Sequence, residues 1–276
     1  MIFTKVYPSE HLRRIIRYFW SIELNCANGS AELSERILPD ASSEMVFHLG
    51  DKISRISTDN ETRREPNSFF AGPNTRCYHI AARGNIKMIG AKFYPHTASF
   101  LFRENAMQFH DTVVDLSAVC GDSISRLHER VAEATSLEDR ISTIESFLRA
   151  NFAHQSSVQF EYLDYAVRQI AYSRGQVTLA RMAQALGITP RYLERLFRER
   201  VGIPAKRFAQ ITQLQSSVLL MKADKNRSLT DVSQASGYYD QSHFNRAIKR
   251  FTGLKPSQLK REQMLTQQPF LDAAVD

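Results

Sequence analysis

Cysteine is scarce in this chain and long hydrophobic runs are missing. The 276 residues hold 3 cysteines, Cys26, Cys77 and Cys120. They share no pair spacing, so neither a disulfide framework nor a cysteine-based zinc site is expected. No window is apolar enough for long enough to span a bilayer, and the N-terminus MIFTKVYPSEHLRR lacks a signal-peptide core. The expectation is a cytoplasmic protein with no membrane partner. Motifs of catalysis are missing too: there is no Gly-rich phosphate loop, no Gly-x-Ser-x-Gly elbow and no His-Glu-x-x-His. His48, His79, His96 and His110 lack a His-x-His spacing with a following Glu, and read as strand or loop residues rather than metal ligands. No catalytic residue, metal or cofactor is expected, and the chain does not read as an enzyme.

What is present describes a globular protein. Apolar residues make up 43% of the chain and charged ones 24%, ordinary values for a folded chain. The length suits two domains. The formal net charge is +7, and it is unevenly placed. Residues 1–157 hold 18 Lys and Arg against 19 Asp and Glu, whereas residues 158–265 hold 18 against 8. A basic excess confined to one half is the footprint of a polyanionic partner.

That basic half contains the same pattern twice. LARMAQALGITPRYLERLFRERVG runs from Leu179 to Gly202, and LTDVSQASGYYDQSHFNRAIKRFTG from Leu229 to Gly253. Met182 pairs with Val232 and Gly187 with Gly237. Past these glycines the offset grows by one residue, so that Leu193 pairs with Phe244 and Gly202 with Gly253. Each copy predicts a helix–turn–helix. Leu179, Met182, Ala183 and Leu186 form one apolar face, and Gly187 can end that helix at positive φ. Thr189 is then an N-cap, and Pro190 suits the first helical position. Asp240 is the corresponding cap in the second copy. The second helices, near Pro190–Arg200 and Gln241–Arg250, bury Leu193, Leu196 and Phe197, or Phe244, Ala247, Ile248 and Phe251. Their outward side chains are of the types that bond base edges and phosphates in a major groove. The predicted partner is double-stranded DNA. Arg191, Glu194, Arg195, Gln241, Ser242, Asn245 and Arg246 are the expected base readers. Arg198, Arg207, Lys249 and Arg250 are the expected phosphate contacts. Surface ion pairs, for example Arg195 with Glu199, are the competing assignment.

Two such motifs joined by an apolar helix from about Pro204 to Met221, with the ending GYYDQSHFNRAIKRFTGLKPSQLK, resemble the AraC/XylS family of bacterial transcription regulators. The resemblance covers about Val158 to Arg261. It departs at Ile248, where that family usually has Phe, at Ala205, near a position often Pro, and at Gln213 and Ser217, often Arg and Ala. It implies a DNA-binding transcription regulator with an N-terminal sensor or dimerisation domain. RNA polymerase, a small-molecule effector and a second copy of the chain are the other partners it implies.

The first hundred residues predict antiparallel strands without long helices. Strands are expected at Tyr18–Leu24, Arg36–Leu38, Glu44–Gly50, Phe69–Ala71, Arg76–Ala82 and Ile86–Tyr94, with the last two forming a hairpin about Arg83-Gly84-Asn85. Short helices are expected at Pro8–Arg17 and His96–Arg103, and a loop with at most one strand at Asp51–Asn67. An antiparallel β barrel or sandwich follows, and by the resemblance it is cupin-like. Aromatic residues such as Trp20, Phe69 and Tyr78 read singly as its core, and a pocket among them is implied only by the resemblance. Helices near Asp122–Ala134 and Leu137–Asn151 either cover the barrel or mediate a dimer. The fold class is thus α+β, with a β domain and trailing helices over residues 1–155. An all-α tandem helix–turn–helix domain occupies residues 158–262, with Ala153–Ser157 as the linker.

Overall fold

The computed structural model describes residues 1–25, 33–99, 105–151 and 157–265; Cys26, most of the expected linker and residues 100–103 of the expected helix His96–Arg103 lie outside them. The first half is an antiparallel two-sheet domain. One sheet is ordered β1 (Ile2–Val6), β2 (Ile16–Asn25), β9 (Asn85–Phe93), β4 (Glu44–His48), β7 (Ser68–Ala71) and β10 (Val113–Asp115). The other is ordered β3 (Leu33–Ile37), β8 (Tyr78–Ala82), β5 (Ser54–Ile56) and β6 (Thr62–Arg64).

The two-residue period of a strand divides the apolar residues of the larger sheet between two cores. Tyr18, Trp20, Ile22, Val46, Phe69 and Met88 meet Ile80 and Ala82 of the smaller sheet. Their neighbours in sequence, Phe19, Met45, Phe47, Phe70 and Ile89, point the other way. There they pack under the helices α2 (Asp122–Glu133) and α3 (Leu137–Asn151), which follow a short α1 (Leu116–Cys120). Ile124, Leu127, Ile144 and Leu148 are the buried side of that helical cover. A fully buried side chain of this size contributes about 1.5–3 kcal/mol, so a slip by one residue in β4 or β9 would forfeit several such terms.

Several local expectations need correction. The strands around Arg83-Gly84-Asn85 do not form a hairpin: β8 pairs with β3 and β5, whereas β9 pairs with β2 and β4. The connection crosses between sheets, and Asp51 Oδ2 accepts from the Asn85 amide at 2.8 Å where it arrives. Pro8–Arg17 is not a helix; only Glu10–Leu12 forms a single 3-10 turn, and Ile16 already belongs to β2. Residues 51–67 supply two short strands, β5 and β6, closed by a turn with Asn60 at φ 60°.

The second half is all helical. α4 (Val158–Tyr172) starts at Ser157, whose Oγ accepts from the Phe160 amide at 3.2 Å. α5 (Leu179–Ala185) and α6 (Pro190–Leu196) form the first repeat, and α8 (Leu229–Ala235) and α9 (Gln241–Thr252) the second. Between them runs α7 (Ala205–Ala223), and α10 (Pro256–Leu265) closes the domain. One core joins Ile170 of α4, Met182 of α5, Leu193 of α6, Val218 of α7, Val232 of α8 and Phe244 of α9. Two residues of the β domain, Leu38 and Ala41, belong to that same core.

Candidate nucleic-acid interface

The two repeats are built by the same local chemistry. Thr178 Oγ1 caps α5 through the Arg181 amide at 3.3 Å, and Ser228 Oγ caps α8 through the Asp231 amide at 3.0 Å. Gly187 and Gly237 end those helices at φ 67° and 73°, a conformation that disfavours any side chain. Thr189 Oγ1 then accepts from the Tyr192 amide at 3.2 Å, and Asp240 Oδ1 from the His243 amide at 2.6 Å. The extra residue of the second turn lies between Gly237 and Asp240, so the cap is kept while the turn lengthens. The copies differ beyond the caps: the first reading helix widens into one π-helical turn at Phe197–Val201, whereas α9 stays α-helical to Thr252.

The outward side chains fall into two groups. Arg191, Gln241, Ser242, Asn245, Arg246 and Lys249 are exposed. Among the described residues none of these side chains has a hydrogen-bond or ion-pair partner, so all are available to a ligand. The others are engaged. Glu194 receives Arg198 Nε at 3.2 Å and the Ala205 amide at 3.2 Å, which ties α6 to the start of α7. Arg195 lies 5.0 Å above the Tyr192 ring and 4.0 Å from Glu199. Arg250 donates to Gln210 Oε1 at 2.7 Å. Arg207 faces the β domain: it donates to the Thr75 carbonyl at 3.1 Å and lies 4.2 Å over the Phe251 ring. Burial, and then the nearby Arg250, hold its pKa below the ordinary arginine value. Tyr239, one residue before the Asp240 cap, is 93% exposed. Its only sequence signal was the extra residue in the turn. Two departures from the family pattern are absorbed by packing, since Gln213 donates to the Ser236 carbonyl at 2.8 Å and Ser217 to the Gln213 carbonyl at 2.8 Å.

The two domains meet over several segments, among them 36–43 and 72–77, and Arg14 also bonds Glu161 of α4 at 2.8 Å. Arg36 bonds Glu262 at 3.0 Å and the Thr252 carbonyl at 3.2 Å, and Cys77 donates to that carbonyl at 3.3 Å. Gln215 of α7 donates to the Pro39 carbonyl. Ala41 is fully buried at φ 54°, a left-handed conformation that costs a residue with a Cβ about 1–2 kcal/mol. Its amide bonds the Asn74 carbonyl at 3.2 Å. Asp111 steadies the second segment, accepting from the Thr75 amide at 2.5 Å and hydroxyl at 2.8 Å. Although burial opposes the charged form, the bonds from His110 and Thr75 win and hold its carboxyl below the usual range.

These segments also wall a cavity between the two sheets. Arg36, Leu38, Asp40 and Asn74 line it at the domain boundary, and Trp20, Phe69 and Tyr78 line it within. Trp20 lies flat on β9 because Gly90 leaves room: a Cβ there would sit 2.4 Å from the indole.

A basic domain with two capped helix–turn–helix units, each presenting free Arg, Gln, Asn or Lys side chains on its second helix, is a tandem helix–turn–helix DNA-binding domain. Residues 182–262 match the family model described as a helix-turn-helix domain, and residues 4–115 match a domain of unknown function, DUF6597. With the repeat and its signature, the former match supports an AraC-type helix–turn–helix domain in this chain. The chain is 29% identical over 119 residues to the uncharacterized HTH-type transcriptional regulator YijO of Escherichia coli, covering 42% of each protein. It is 28% identical over 79 residues to the uncharacterized transcriptional regulatory protein YesN of Bacillus subtilis, covering 28% of this chain and 22% of that one. It thus spans less than half the length of these curated relatives. Among solved structures, ToxT of Vibrio cholerae aligns with 84% of this chain and 98% of its own at 12% identity and a TM-score of 0.46. No helix among the described residues is long and apolar enough to cross a membrane.

Proposed function

We propose that this protein is a sequence-specific transcription regulator whose first domain senses a small molecule and alters how the DNA-binding domain is presented. The observation that carries the sensing half of this reading is the shared wall: Arg36, Leu38, Asp40 and Asn74 line the cavity, and the segments that hold them dock the helical domain. A ligand shifts an equilibrium only by binding one state better than another. A cavity whose wall is also the docking surface supplies that difference.

In this reading Arg191, Gln241, Ser242, Asn245 and Arg246 read bases, with Arg195 joining them by leaving Glu199. Lys249 and Arg198 hold phosphates. Glu194 and Arg250 serve within the domain, and Arg207 serves the domain contact rather than a phosphate. The two reading helices enter successive major-groove segments about 34 Å apart. RNA polymerase and a second copy of the chain are the protein partners this role entails, and the cytoplasm is its place.

The test is Leu38→Ala, which loosens the dock and leaves both reading helices intact. The reading expects DNA affinity or its site preference to change. Affinity and preference equal to the parent's would reduce the first half to a dimerisation module on a constitutive DNA-binding protein.

A further inference from the structure

The inter-sheet cavity is the sensing site of the reading above, and its charges say what kind of molecule it accepts. Six charged side chains line it: Arg36, Asp40, Glu44, Arg55, Glu65 and Lys92. Arg36 is matched by Glu262. Arg55 is matched by Glu65 at 3.3 Å, and its guanidinium stacks 3.9 Å from the Tyr78 ring. Glu65 also meets His48 Nε2 at 3.1 Å, so both its oxygens are used. What remains is Lys92 between two carboxylates, Asp40 and Glu44. Burial works against that ammonium, yet the two carboxylates more than offset it, and the Lys92 pKa lies well above its ordinary value. One cation facing two anions leaves one negative charge over.

The surplus has an address. Asp40 spends its oxygens on Lys92 and on the amide and hydroxyl of Ser42. Glu44 accepts Lys92 on Oε1 alone, and no described residue donates to its Oε2. Near it, the walls are apolar and aromatic, with Trp20, Val46, Phe69 and Met88 from the larger sheet. The same field opposes an anion. Burial, with further repulsion from Glu44, Glu65 and Asp40 against the attraction of Arg55, pushes the Tyr78 phenol up to about 12.

We propose that the cavity binds a small organic cation: a protonated amine donating to Glu44 Oε2, with an aromatic or other apolar body that widens the roughly 60 Å³ space against Trp20 and Phe69. An aryl carboxylate of the same size is rejected, because the Lys92 charge is already offset by two carboxylates, Glu44 and Asp40, which repel it. The amine sits beside Lys92, whose other partner, Asp40, belongs to the segment that docks the DNA-binding domain. Occupancy is therefore felt at the domain contact.

Three probes that share an indole body separate the possibilities: tryptamine, 3-methylindole and indole-3-acetate, titrated calorimetrically into the full chain at pH 7. Tryptamine should bind at least tenfold tighter than indole-3-acetate, the scale of one charge-assisted hydrogen bond. Glu44→Gln should erase that preference. Should Glu44→Gln fail to fold, the ranking of the three probes on the parent protein decides alone. Equal or tighter binding of indole-3-acetate, a tryptamine affinity unmoved by Glu44→Gln, or no binding of any probe at millimolar concentration would overturn the assignment. DNA affinity read in the same samples keeps the two readings apart. Selective tryptamine binding that leaves DNA affinity unchanged would support this ligand class and count against the regulatory role of the cavity.

Discussion

Arg207→Ala should weaken the coupling between the two domains without weakening the grip on DNA phosphates. The arginine donates to the Thr75 carbonyl at 3.1 Å and lies 4.2 Å over the Phe251 ring. A hydrogen bond from a charged donor contributes about 1.5–3 kcal/mol, and a partly desolvated cation–π contact about 0.5–2 kcal/mol. The ring contact lies within the helical domain, so the hydrogen bond alone crosses the boundary and a loss of about 1.5–3 kcal/mol of coupling is expected. The chain's single tryptophan, Trp20, lies in the β domain, while most helix belongs to the other domain. In urea, tryptophan fluorescence and far-ultraviolet circular dichroism should report one transition for the parent and two separated ones for Arg207→Ala. The salt dependence of DNA binding should be unchanged, since each phosphate contact contributes about 0.9 to the slope of log K against log salt. Coincident transitions in the variant, together with a slope smaller by about 0.9, would refute the placement and return Arg207 to the phosphates.

Other outcomes follow from the same geometry. Gly90→Val would force Trp20 off β9, since even a Cβ would lie 2.4 Å from the indole; overpacking of this kind costs about 1–3 kcal/mol, and the tryptophan emission should shift. Asp111 has a folded pKa below its unfolded one. Its stabilising effect is therefore full above the ordinary Asp value of about 4 and lost as pH falls through the folded pKa. Melting temperatures of the parent and Asp111→Asn should differ at pH 6–7 and converge in acid, and a gap that stays constant with pH would contradict this. Thr189→Ala and Asp240→Ala remove the caps of α6 and α9 and should each cost about 1 kcal/mol. The loss at Asp240 should be larger at low salt, because its carboxylate also faces the positive end of a helix dipole.

The sequence announced some of this structure and hid the rest for physical reasons. The two helix–turn–helix units were legible because caps, positive-φ glycines and apolar spacing agree within twenty-odd residues, twice. β2, β4 and β9 were legible because they alternate or carry a short apolar run. β6 was not: Thr62, Arg63 and Arg64 are all exposed, so it has no buried face to show. The pairing of β8 and β9 could not be read either, since alternation marks a strand but names no partner, and the Asp51–Asn85 bond at their junction spans 34 residues. The base-reading candidates were legible as outward residue types. What hid was engagement: Glu194 and Arg250 bond within the helical domain, and Arg207 bonds a carbonyl 132 residues away. A pocket was implied only by the resemblance, and its charged lining stayed hidden for the same reason, as those charges come from four separated stretches of chain.

The most direct test of the central claim is selection of random duplexes by the purified full chain at fixed salt. If both repeats read DNA, the selected sites will share a bipartite motif with halves about ten base pairs apart. Substituting Arg246 will then relax one position of one half, while substituting Lys249 weakens all sites alike. Salt-sensitive binding with no shared motif, with and without tryptamine present, would contradict the account.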